Sequence, residues 1–133
     1  MIVKGALALV LVAAAAGASV TSAERTAHLA RMDEIAGLQF DIEDALGTKS
    51  GPGLAAGTSK MRDALVAERA YWAKARVPDA SATLETAVRL VEAIAAASAA
   101  GDIVGARAGF ESLGATCVTC HELKADDRVT VRD

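Results

Sequence analysis

The sequence predicts an all-α protein, an antiparallel four-helix bundle. Apolar residues recur every three to four positions through four segments, and the breaks between those segments are short. The composition leans on Ala and Leu, with only 3% aromatic residues, which disfavours a β-sandwich. A chain of 133 residues is enough for one domain, and a hydrophobic content of 53% excludes a disordered tail.

The first helix is expected over Glu24 to Leu46, where Leu29, Met32, Ile35, Ala36, Ile42 and Leu46 form an apolar stripe. Gly47 to Gly53 reads as a loop. A second helix is expected from an N-cap at Thr58 or Ser59 to about Arg76, with Met61, Leu65 and Ala70 inward. Of the adjacent Tyr71 and Trp72, at most one is expected to face the core. Val77-Pro78-Asp79 breaks that helix, because the residue before a proline avoids the α region. The third helix is expected over Ser81 to Ala100, with Leu84, Val88, Val91 and Ile94 on one stripe. Gly101-Asp102 then supplies a helix stop and a new N-cap, and the fourth helix is expected from Ile103 to about Glu122. No strand is expected.

Residues 1–23 read as a removable signal peptide, leaving 24–133 as the bundle domain. Lys4 is the only charge before Glu24, Gly5 to Ala16 is uninterrupted apolar sequence, and Gly17 to Ala23 is small and cleavable in character. Cleavage is expected after Ser22 or Ala23, giving an exported, periplasmic protein without a membrane anchor. Removing Lys4 takes the net charge from −3 to −4, so no electrostatic footprint for nucleic acid is present.

Cys117-Val118-Thr119-Cys120-His121 reads C-x-x-C-H, the attachment sequence for c-type haem. On a helix, positions three and four apart share a face, so both thiols and the imidazole project to one side. The thiols suit thioether bonds to the two vinyl groups, and His121 suits the iron as fifth ligand. Ile103, Ala106, Phe110 and Leu113 continue that face upstream, and Gly114 would let the backbone approach the ring edge. A thioredoxin-like site would need a βαβ context. A zinc site would need two histidines beside the cysteines, and the chain has two in all, His28 and His121.

An export signal, four helices and a C-x-x-C-H on the last of them resemble the class II cytochromes c, the cytochrome c prime family. The local likeness runs from Gly101-Asp102 through Arg107, Phe110 and Leu113-Gly114-Ala115-Thr116 into the motif. Family members often carry an aromatic residue and then Arg shortly after the histidine, where this chain has Lys124-Ala125. The resemblance implies one haem c per chain, a first-helix arginine near a propionate (Arg25 here), and a homodimer formed through the first two helices. It also implies that the distal residue comes from the first helix, Met in the six-coordinate branch and commonly Leu in the five-coordinate one. Matching Arg25 to the family's arginine puts Leu29 over the iron, whereas centring the apolar stripe puts Met32 there. Met32 is the expected sixth ligand; His28, expected to be partly exposed near the frayed helix start, is the other residue that could ligate the iron.

These features lead to a periplasmic electron carrier, not an enzyme, working with redox partner proteins. The alternatives are a five-coordinate protein that binds nitric oxide or carbon monoxide, and an envelope interaction bundle in which the C-x-x-C-H is accidental.

Overall fold

A computed structural model describes residues 19–133, most of them helical. The bulk of the expected signal peptide, residues 1–18, lies outside the described residues. The order is β1 (Ser19–Thr21), α1 (Ser22–Gly47), α2 (Gly51–Lys74), α3 (Pro78–Ala99), α4 (Ile103–Glu122), a 3-10 turn (Ala125–Arg128) and β2 (Thr130–Arg132). No described helix is long and apolar enough to cross a membrane.

Three of the four helices begin at a side chain that accepts from the first free N–H groups. Thr21 caps α1 in a reciprocal box with Glu24. Ser50 accepts from the Gly53 N–H at the start of α2, where Pro52 occupies the first turn. Asp102 accepts from the Gly105 N–H at the start of α4. Three connections turn through a cationic residue with left-handed backbone, at Lys49, Arg76 and Lys124, and the fourth uses Gly101.

Several expectations are corrected. The loop expected over Gly47–Gly53 shrinks to Thr48–Ser50, so α2 starts seven residues before Thr58. Thr58 is not a cap; it lies buried within α2 and donates its hydroxyl to the Leu54 carbonyl at 2.7 Å. Pro78 both ends one helix and opens the next, since its fixed φ suits the first helical position. Ala70 is exposed, and Tyr71 and Trp72 are both buried because α1 and α3 flank that end of α2. The absence of strands is also wrong. Val20 pairs with Val131 in a two-stranded parallel ribbon that joins the ends of the described chain. Three residues per strand are too few to print an alternating pattern. Ser19 to Ala23 belong to β1 and the start of α1, so cutting after Ser22 or Ala23 would remove the α1 cap.

The core is apolar and continuous. Ile42, Leu46, Leu54, Met61, Val91, Ile94 and Leu113 are each at most 1% exposed. Consecutive helices pack on one another, α1 on α2, α2 on α3 and α3 on α4, while α1 and α4 touch sparingly. Two glycines allow close crossings: a Cβ on Gly57 would lie 2.9 Å from Ile42 Cγ1, and one on Gly109 would lie 2.8 Å from Ile94 Cγ1.

Candidate functional site

Where α1 and α4 part, they leave a cavity of about 310 Å³ that opens to solvent and is lined mostly by apolar surface. α4 contributes Thr116, Cys117, Cys120 and His121, followed by Lys124, a stripe at helical spacing. α1 faces it with a second such stripe: Leu29, Met32, Ala36 and Gln39, flanked by His28 and Ile35. Leu84 and Ala87 of α3 and Leu65 and Trp72 of α2 form the floor. The motif residues therefore do share one face, and that face meets α1.

Both cysteines are free and half-buried. The Gln39 amide donates to Cys117 Sγ at 3.4 Å, a thread between α1 and α4. Burial pushes the Cys117 thiol above its usual range, against the smaller effect of that hydrogen bond. Burial pushes Cys120 up to about 11, with the neighbouring Cys117 adding to it. In these surroundings both sulfurs favour the thiol form. Among the described residues no group of three or more His, Cys, Asp or Glu is arranged to hold a bare metal ion.

The apolar stripe expected on α1 is redistributed. Ile35, Ile42 and Leu46 are buried, joined by Leu38 and Ala45. Leu29 is 50% exposed and, with exposed Ala36, lines the cavity instead of the core, while half-buried Met32 lines the cavity and also packs against the core. On α4, Ala106 and Leu113 are buried, Ile103 and Phe110 are half-buried, and Gly114 faces open space. Arg25 stands outside the cavity wall with its guanidinium 3.7 Å from Asp126.

His28 overturns its expectation. It is 2% exposed, because the α1 cap at Thr21 places it in the second turn, well inside the helix. Its Nδ1 lies 2.7 Å from Oε2 of Glu68, a fully buried carboxylate whose other oxygen accepts from Arg31 Nε at 2.6 Å. The ring stacks on Tyr71 at 4.5 Å and meets the edge of Trp72 at 5.1 Å. The sequence shows Glu68 and Asp126 as ordinary helix and turn charges, and nothing in their spacing signals a partner forty or more residues away.

No protein-family model, curated protein or solved structure matches the chain.

Proposed function

We propose that this chain is an exported c-type cytochrome, a periplasmic carrier of single electrons. Its four helices would form an antiparallel bundle around one haem c. The observation that carries the reading is the convergence of Cys117, Cys120 and His121 on one wall of an open, mostly apolar cavity. Two hydrogen bonds between α1 and α4 support the bundle geometry: Leu46 meets Arg107 and Gln39 meets Cys117, so the higher number on α1 goes with the lower number on α4.

The donor set fits a haem c. Cys117 and Cys120 would hold the group covalently, and His121 would ligate its iron. The bound group supplies an iron that alternates between two oxidation states. The polypeptide does the rest by position. Leu84, Ala87 and Leu65 offer apolar contact to a flat macrocycle, and such a lining holds water away from the metal. Lys124, on the rim, offers a cation to a propionate in the segment where the family pattern has other residues.

The test is covalency. Protein exported from a host with haem-attachment machinery should retain haem through acid-acetone extraction and denaturing electrophoresis. Cys117→Ala or Cys120→Ala should weaken that retention. Haem that extracts freely from the exported wild type would overturn the reading.

A further inference from the structure

We propose that His28 would be a second protein ligand to the iron besides His121, with Glu68 as its positioning residue. The inference depends on the haem reading above. The chain has two histidines, and both line the same cavity. His28 is buried, yet its Nε2 has no hydrogen-bond partner. Leaving a buried ring nitrogen unpaired is costly, so a buried imidazole in a purely structural role would have both nitrogens satisfied. An imidazole that donates through Nδ1 to a carboxylate presents Nε2 as a lone pair. That is the arrangement in which metal-ligating histidines are held by a carboxylate on their other ring nitrogen.

The ring is fixed before any iron arrives. Glu68 sets its rotation through the 2.7 Å contact at Nδ1, and Arg31 stops Glu68 from swinging. Tyr71 and Trp72 clamp the ring plane from the face and the edge. One other group faces Nε2. Asp126 Oδ1 lies 3.3 Å away, off the hydrogen-bonding direction. Its side chain is 45% exposed, sits 3.7 Å from Arg25 and belongs to a single 3-10 turn, so it can rotate out to water. Met32 lines the cavity one turn further along α1, and no hydrogen bond aims its thioether. Of the two candidate donors on α1, the structure preorganises the histidine.

The experiment uses the haem-loaded, exported protein and reads its spectrum instead of an activity. Two nitrogen ligands give low-spin ferric iron without a sulfur-to-iron band. Met32→Leu should leave that spectrum unchanged. His28→Ala should become high-spin, bind carbon monoxide when reduced, and return to low-spin on adding imidazole. Glu68→Gln should stay low-spin but raise the midpoint potential, because the imidazole loses the carboxylate that makes it a stronger donor. A merely structural Glu68 would change the melting temperature and leave the potential alone.

A sulfur-to-iron band that Met32→Leu abolishes, a high-spin wild type, or an unchanged low-spin His28→Ala would each overturn the inference while the haem reading stands. If His28→Ala does not fold, the wild-type spectrum and Met32→Leu still decide. A wild type without covalent haem overturns both readings.

Discussion

The α2–α3 side and the α1–α4 side of the molecule are built on different principles. Along α2 and α3 the helices are in contact from end to end, with Leu54, Met61 and Leu65 on one and Val88, Val91 and Ile94 on the other all buried. Between α1 and α4 contact is thin. It consists of the Gln39–Cys117 thread, an Arg107 hydrogen bond to the Leu46 carbonyl at 3.3 Å, and a cavity. One side carries stability and the other gives some of it up to keep a space open, with a rigid polar cluster at its edge. A chain with few aromatic residues can manage this because small Ala and Gly residues let consecutive helices pack closely while only the α1–α4 seam stays open.

The first way to break that contrast is to cut into both sides and compare. Ile94→Ala, at 0% exposure, should cost about 2–5 kcal/mol, read as a fall in the denaturation midpoint. Leu29→Ala, half exposed on the cavity wall, should stay within about 0.5 kcal/mol in protein without haem. Equal costs would show that both sides share one core.

Thiol chemistry probes the open side next. In protein without attached haem, Cys120 at about 11 should be alkylated at pH 8 roughly a hundredfold more slowly than an ordinary thiol. The rate should climb as pH approaches that value. Fast labelling at neutral pH would mean that α4 stands free of its neighbours.

Glu68 sits where the two sides meet. Glu68→Ala should cost about 2 kcal/mol in the melting curve, since it strips His28 Nδ1 and Arg31 Nε of their shared acceptor. The loss stays moderate because Arg31 reaches water.

The smallest effect is expected at the Arg128–Asp79 bridge, 2.9 Å long and exposed, which ties the 3-10 turn to α3. Arg128 holds the Asp79 carboxyl below its usual range. Because the folded value is depressed, the bridge contributes fully at neutral pH, and its contribution is lost as pH falls through the carboxylate range. Arg128→Gln should flatten that part of the pH–stability curve slightly, and added salt should mimic the substitution.

The sequence makes the helices legible wherever their signals are local. Gly101-Asp102 marks the α3–α4 boundary, and α4 runs over the expected residues. Val88, Val91 and Ile94 are buried as their spacing predicts. Signals that depend on a neighbour are harder to read. The glycines near the start of α2 look like a loop until Gly57 is seen against Ile42, where a side chain would not fit. Leu29 and Ala36 share the period of core residues but border the cavity, because periodicity finds an apolar face without telling what meets it. The C-x-x-C-H motif is fully legible, since its spacing is itself the geometry. The His28–Glu68–Arg31 cluster is not, because it spans two helices and its residues look like solvated charges in one dimension.

In the chain that keeps residues 19–21, the pairing of Val20 with Val131 has a consequence for the order of folding. Closing a loop of about 110 residues in an unstructured chain costs roughly 4 kcal/mol of entropy, far more than six strand residues can return. Once α1 and α4 lie alongside each other, the two ends are already neighbours and most of that cost is gone. The ribbon is therefore a late event in folding and an early one in unfolding, a clasp rather than a nucleus. It anchors the chain just beyond the turn that holds Asp126 beside His28, so the clasp closes after the cavity has taken shape and its opening is the natural first breach toward that cavity.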